Sequence, residues 1–364
     1  MTAKRAFNFG AGPAAMPLEV LERIKSELSD YHGLGMSIME MSHRSKTFEA
    51  VSERAAARFK KLTGLSEDFA ILFLHGGATQ QFSQIPMNFF EAGRPVDMVH
   101  SGHWTERAMK EMKPVAEVRV IASSEGKKFR ELPLFSETDI SDRASYLHYC
   151  SNNTIFGSQF KKFVFKKNVP TVIDMSSDVL SRNFAYNDFD LIFAGAQKNV
   201  GPSGLCVVAI RKSWAERGRE DLAPFFQYRN QIQARSLYNT PNTFGIYMAD
   251  LVFEWIENQG GIPAIEKRNE EKAALLYSHI DESSLFSGPV KKEDRSLMNV
   301  VFELQSPNPE LEKKFLNEAE SVGLIGLKGH RIAGGFRASI YNAVSKEAVV
   351  RLVEFMKDFA KKSK

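Results

Sequence analysis

Short apolar runs recur along the first two thirds of the chain: ILFLH (71–75), VDMVH (96–100), VAEVRVI (115–121), YLHYC (146–150) and PTVID (170–174). Segments with helical periodicity separate them. Strands that alternate with helices specify a mostly parallel sheet covered on both faces. Two further runs, LIFAG (191–195) and LCVVAI (205–210), are joined only by residues 196–204. That is too short for the crossover that parallel neighbours need, so the two are predicted to form an antiparallel pair attached to the parallel sheet.

Helices are predicted over 17–31, with a proline in the first turn, and from about Lys46 to Leu62. A long apolar-periodic helix, TFGIYMADLVFEWIEN (243–258), ends at Gly260–Gly261. Beyond Pro263 the pattern changes to a charged helix, a strand (MNVVFEL), a helix (ELEKKFLNEAESVG), a loop with a strand, and a last helix with Ser345 as N-cap. The boundary is placed at 262–270. A large α/β unit (16–265) and a small α+β unit (266–364) are therefore expected, with residues 1–15 packed on the small one. There is no internal repeat.

The charge balance, 48 basic against 44 acidic residues, leaves a net +4. No clustered basic face for nucleic acid emerges, and the one basic block is the tail AKKSK. Cys150 and Cys206 sit inside apolar runs and outside any metal-ligand spacing, so they read as core thiols of a reducing compartment. The N-terminus has no apolar stretch behind its basic residues, and no run approaches the length of a membrane span. A cytoplasmic protein is expected.

Ligands of open α/β sheets bind outside the carboxyl ends of the strands. ILFLH leads to Gly76-Gly77-Ala78-Thr79, VDMVH to Trp104, YLHYC to Asn152, Asn153 and Thr154, PTVID ends on Asp174, and LIFAG leads to Gln197-Lys198. Singly, each has an ordinary structural reading: a turn, a core ring, a cap, a solvated lysine. The glycines lack both the GK[ST] of a P-loop and the third glycine of a dinucleotide fingerprint. Together they meet the needs of one cofactor, pyridoxal phosphate. It takes a lysine for its Schiff base and a carboxylate for its pyridinium nitrogen. Its phosphate suits the N–H groups at a helix N-terminus, and a flat ring can cover it. A lysine between apolar strands is also easier to deprotonate, and the free amine is the nucleophile.

IDMSSDVLS followed by FAGAQKNVGPSG resembles the fold-type I, class V aminotransferases. The likeness runs nearly end to end, through FNFGAGPAAMP, LGMSIMEMSHRSKTF, HGGATQQF, SGHW, HYCSNNTIFG, YNTPNTFGIY and KGHRIAGGFRASIYN. It implies an α/β cofactor domain, a small C-terminal domain and a homodimer with active sites at the interface. Residue by residue, it makes Lys198 the Schiff-base lysine, Asp174 the partner of the pyridine nitrogen and Trp104 the stacking ring. Ala78 and Thr79 fall where backbone amides take the phosphate, and Thr154 and Gln197 complete the cofactor site. Asn239 and Thr240 match the pair that reaches the phosphate from the neighbouring subunit. Arg337 resembles the arginine that grips the α-carboxylate. His43, Arg44, His330 and Arg331 match the cluster that holds a distal anion.

The reaction implied is transfer of an amino group between L-glutamate and 3-phosphohydroxypyruvate, giving O-phospho-L-serine and 2-oxoglutarate, in serine biosynthesis. The phosphohydroxythreonine step of vitamin B6 synthesis is a related possibility that the resemblance leaves open. Two positions depart from the pattern: Thr79 stands where some members carry an arginine, and Ala11 where others carry a serine. Three alternatives stand beside this reading. One is another enzyme of the fold acting on small amino acids, which would not need the double His-Arg set. A second is a desulfurase, which needs a reactive loop cysteine. The third is a non-catalytic cofactor-binding protein.

Overall fold

The computed structural model describes residues 5–363; residues 1–4 and Lys364, at the start of the N-terminal segment and the end of the basic tail, lie outside the described residues. In chain order the first half comprises β1 (Phe7–Asn8), α1 (Leu18–Glu27), α2 (Lys46–Thr63), β2 (Phe69–Leu74), α3 (Gly77–Phe89), β3 (Val96–His100), α4 (His103–Met112), β4 (Val118–Ser123), β5 (Tyr146–Cys150) and β6 (Thr171–Asp174). There follow β7 (Leu191–Gly195), β8 (Cys206–Arg211), α5 (Lys212–Ala215), α6 (Tyr228–Gln233), α7 (Thr243–Asn258) and α8 (Gly261–Glu282). The chain ends with β9 (Phe286–Ser287), β10 (Asn299–Leu304), α9 (Pro309–Ser321), β11 (Leu324–Ile325), β12 (Phe336–Ser339) and α10 (Lys346–Lys362).

The largest sheet has the order β2-β8-β7-β6-β5-β3-β4. From β7 to β4 all pairs are parallel. The short β7–β8 connection reverses the chain, and the two pair antiparallel. β8 is not an edge strand, however: β2 pairs antiparallel with its other side. Two reversals restore the direction, so β2 runs parallel to β7 and its carboxyl end opens on the same side as the others. That places the start of α3 beside the exits of β5, β6 and β7.

Apolar side chains fill both faces of this sheet. Phe48, Val51, Ile173, Ile246 and Phe253 belong to the cluster under α2 and α7. Phe82, Ile85, Met98, Val172 and Phe193 belong to the one under α3 and α4. A third cluster, with Phe302, Phe315, Phe336, Leu352 and Met356, joins β9, β10 and β12 to α9 and α10. Phe9 is part of this third cluster, and β1 pairs parallel with β11. α8 runs through both regions without a break: Ile262 and Ile265 pack in the first cluster, and Ala273, Leu276 and Ile280 in the third.

Helix starts follow their caps. The Ser45 hydroxyl accepts from the Phe48 N–H at 3.2 Å, and the Ser345 hydroxyl from the Ala348 N–H at 3.2 Å. α1 ends at Glu27 rather than running to residue 31 as its pattern predicts. Tyr31 is instead drawn inward, buried edge-on against Tyr247, and His32 takes a left-handed φ of 53°, which no helix continues through. Among the described residues, no helix is long and apolar enough to cross a membrane, and no group of His, Cys, Asp and Glu could hold a metal.

Candidate active site

At the carboxyl end of β7 the chain turns on itself: the N–H groups of Lys198, Val200 and Gly201 all donate to the Ala196 carbonyl. This turn buries the lysine side chain that follows LIFAG, leaving it 8 % exposed. Its Nζ donates to Thr154 Oγ1 at 2.9 Å and lies 5.5 Å from the centre of the Trp104 ring. Burial pushes the ammonium below the ordinary lysine value, and the Asp174 carboxylate opposes that shift.

Asp174 closes β6, buried. Oδ1 accepts from the Ser176 N–H at 2.8 Å and from the Ser176 hydroxyl at 2.6 Å. Burial raises its carboxyl; these two hydrogen bonds, and then Lys198, favour the charged form. The Ser176 hydroxyl also accepts from the Gly195 N–H at 3.0 Å, so the carboxylate and the lysine turn share one anchor.

A cavity of about 350 Å³ lies between these groups. Lys198 and Asp174 line it, with Trp104 and Phe82 as aromatic walls and Gly76 to Thr79 at one end. That end is the first turn of α3, whose free N–H groups and positive dipole end suit an anion. Only glycine fits at Gly76: its φ is +77°, and a Cβ would stand 2.2 Å from Gln80 Oε1 and 2.7 Å from Gln80 Cβ. Trp104 carries a buried indole N–H with no partner among the described residues. An anion cradle, a buried carboxylate, an amine with a lowered pKa and a flat wall with an unspent donor match the parts of pyridoxal phosphate, so the residues present fit that group.

A cationic edge adjoins the cavity. Arg337, from β12, donates through Nη1 to the Thr154 carbonyl at 3.2 Å, and its Nε has no partner among the described residues. His330 lies 5.9 Å, ring to ring, from His103, and His103 lies 5.5 Å from Trp104. The His330 pKa is lowered by burial and then by Arg337, His103 and Arg331. One imidazole therefore feels three positive or potentially positive neighbours.

Of the residues singled out from the sequence, Ala78, Thr79, Trp104, Asp174, Gln197 and Lys198 line the cavity. Thr154 and Arg337 reach it through hydrogen bonds, and His330 and Arg331 stand at its cationic edge. His43, Arg44, Asn239 and Thr240 do not line it. His43 is buried just before α2, its Nε2 without a partner among the described residues, and Arg44 is exposed. Asn239 borders a separate small cavity with His75 and Gln80. His103 and Ser176 were not singled out from the sequence, although each adjoins a motif residue. Cys150 also lines the cavity, but burial pushes its thiol well above the ordinary value, which leaves no reactive thiolate.

Residues 6–352 match the family model "Aminotransferase class-V". The chain is 50 % identical over 362 residues to the phosphoserine aminotransferase of Geobacillus kaustophilus, covering 99 % of each. It superposes on the solved phosphoserine aminotransferase from Bacillus circulans subsp. alkalophilus with a TM-score of 0.96, at 47 % identity and 99 % of each chain. It is also similar to a solved phosphoserine aminotransferase with bound pyridoxal phosphate from Trichomonas vaginalis, with a TM-score of 0.89 and 40 % identity over 97 % of this chain and 100 % of that one.

Proposed function

From the premise that this chain belongs to the class-V aminotransferases, we propose that Lys198, Asp174 and the surrounding cavity carry out amino transfer to and from phosphoserine. The chain is a pyridoxal-phosphate-dependent aminotransferase. Its reaction exchanges the amino group of L-glutamate with the keto group of 3-phosphohydroxypyruvate, a step of serine biosynthesis.

When bound, pyridoxal phosphate supplies an electrophilic carbon for amines and an electron sink that acidifies the substrate Cα–H. The rest falls to side chains. The first turn of α3, with Ala78 and Thr79, would take the phosphate, Gln197 and Thr154 would border the ring, and Trp104 would cover it. Asp174, whose charged form the Ser176 hydrogen bonds and Lys198 favour against burial, would keep a proton on the ring nitrogen. Lys198 Nζ, biased toward the neutral amine, would take the proton from the substrate Cα and deliver it to the cofactor carbon that takes up the amino group, acting as base and then as acid. Arg337 grips the α-carboxylate with a planar fork. His330 and Arg331, together with His43 and Arg44 of a second copy, hold the phosphate of phosphoserine or the γ-carboxylate of glutamate. Asn239 and Thr240 of that copy reach the cofactor phosphate. A homodimer and a cytoplasmic location complete the reading.

The observation that carries the phosphate preference is the concentration of Arg337, Arg331, His103 and His330 beside the lysine cavity. The test is the visible absorbance of the purified holoenzyme as L-phosphoserine, or separately L-serine, is added. The spectrum is expected to convert with phosphoserine at concentrations where serine leaves it unchanged. Equal conversion by both would overturn the assignment of the distal anion pocket. A protein that takes up no chromophore when supplied with pyridoxal phosphate would overturn the role of Lys198.

A further inference from the structure

Among the described residues, Lys272 is buried with no ion pair and no part in the chemistry above. It sits on α8, 3 % exposed. Its Nζ donates to the main-chain carbonyls of Ile340 at 2.9 Å, Tyr341 at 2.8 Å and Val344 at 2.9 Å. Burial pulls its pKa from 10.5 to about 7; as an ammonium it has three protons and no acceptor, and each proton then meets a carbonyl of one short turn between β12 and α10. Burying a charge is costly unless it is fully hydrogen-bonded, and an apolar chain of the same length could fill the space without that cost. What the ammonium does that an apolar chain cannot is hold the turn.

That turn is tied to the active site on several sides. The main-chain N–H of Asn342 donates to Asn199 Oδ1 at 3.1 Å, and Asn199 follows Lys198. The Asn342 side chain donates to the Leu180 carbonyl and accepts from Asn269 of α8, both at 2.9 Å. The Tyr341 hydroxyl donates to the Ala11 carbonyl at 2.8 Å. The next residue, Gly12, lies so close to the lysine that a Cβ there would be 3.5 Å from Lys198 Cγ. Upstream, β12 delivers Arg337 to Thr154, which receives the Lys198 amine.

We propose that Lys272 is a positioning residue for amino transfer. Its ammonium pins the 340–344 turn, and the turn, through the Asn342–Asn199 and Tyr341–Ala11 hydrogen bonds, sets Lys198 and Arg337 relative to each other. This rests on the functional reading above. Lys272 touches neither substrate nor cofactor; it acts through main-chain carbonyls. Because the loop carrying His330 and Arg331 is not held by these bonds, Lys272 bears on the rate and not on the choice between phosphoserine and serine.

Lys272→Met keeps the reach of the side chain and removes every donor. In the holoenzyme, assayed with L-phosphoserine and with L-serine well below the melting temperature, kcat is expected to fall about tenfold for both, with their ratio unchanged. Combined with Asn199→Ala, the loss is expected to be smaller than the product of the single losses, because both changes break one link. Phe359→Leu, in the core of the same region, should lower the melting temperature while keeping kcat. A wild-type kcat in Lys272→Met, a loss matched by Phe359→Leu, or losses that multiply with Asn199→Ala would each overturn the proposal. Should Lys272→Met not fold, Lys272→Gln is read by the same criteria. If the unaltered chain does not transaminate phosphoserine at all, the functional reading itself fails, a result distinct from the others.

Discussion

Arg337 and Arg331 stand on the same stretch of chain, and the proposed function assigns them to different ends of a substrate, a division that is measurable. Every amino acid substrate carries an α-carboxylate, so Arg337→Ala should lower kcat/KM for glutamate, phosphoserine and serine alike, roughly 10- to 100-fold for the loss of a charged hydrogen-bonded contact. Arg331→Ala should lower it mainly for the dianionic substrates, cutting the phosphoserine-to-serine preference by about tenfold. Equal losses for both substrates in Arg331→Ala would refute the division. His148, by contrast, bears on stability. It lies fully buried on β5 against Phe82 and Phe193, and neither ring nitrogen has a partner among the described residues. Burial lowers its pKa from 6.5 to about 3. Below pH 6.5 the unfolded chain therefore binds a proton that the folded one refuses. The stability linked to His148 is complete above pH 6.5 and is lost progressively as pH falls toward 3. His148→Phe keeps a ring against the same neighbours and removes two unmet polar atoms. It should raise stability at pH 7 by about 1 kcal/mol or more and flatten the loss between pH 7 and pH 4.5, read as urea midpoints at the two values. A variant as acid-sensitive as the parent would show that His148 does not govern that limb.

At the scale of elements, the exits of β5, β6 and β7 and the start of α3 could be placed from sequence because each is local: an apolar run, then glycine or a polar residue with its own chemistry. The position of β8 could not. Its antiparallel pairing with β7 follows from a short connection, but its other neighbour, β2, precedes it by more than a hundred residues, and no local pattern encodes so distant a partner. β1, β9 and β11, each two residues long, are too short to show any period. Likewise no local pattern marks His103 beside Trp104, because only the folded chain brings His330 to it. Two elements carry tests of their own. At the head of α3, Gly76→Ala forces a side chain into left-handed backbone against Gln80. It should cost about 1–2 kcal/mol and weaken retention of pyridoxal phosphate on dialysis, while unchanged retention would argue against this turn as the phosphate cradle. Across α2 and α7, the fully buried Asp250 accepts from Arg54 and Arg58. Asp250→Ala takes the shared acceptor from Arg54, which is partly exposed, and from Arg58, which keeps Glu254 and Glu257, and should destabilise by about 2 kcal/mol, seen as a lower melting temperature.

For the whole molecule, the telling fact is which assigned residues a single chain leaves away from its own cavity. His43 and Arg44 lie at the end of the loop joining α1 to α2, and Asn239 and Thr240 lie between α6 and α7; neither pair lines the cavity that holds Lys198. Both segments also expose apolar side chains, Leu34, Met36 and Met39 on the first and Tyr238 on the second. Surface of that kind near functional residues suits burial against a partner. If two copies pair about a two-fold axis, each copy offers the same segments to the other, and each cavity is completed by the neighbour's His43 and Arg44. Two defective chains should then repair each other. Lys198→Ala removes the base from its own cavity but keeps a sound loop to lend; Arg44→Ala keeps the base and lends a faulty loop. In a hybrid pair, one cavity combines Lys198 of one chain with Arg44 of the other and is intact. With free exchange of subunits, about half the pairs are hybrids with one good site each, so the mixture should recover about a quarter of the wild-type rate on phosphoserine. The assay belongs at a substrate concentration where the Arg44→Ala protein alone is nearly silent. A mixture whose rate is only the sum of its parts would mean that each chain is served by its own His43 and Arg44, and the two-fold arrangement of the site would have to be abandoned.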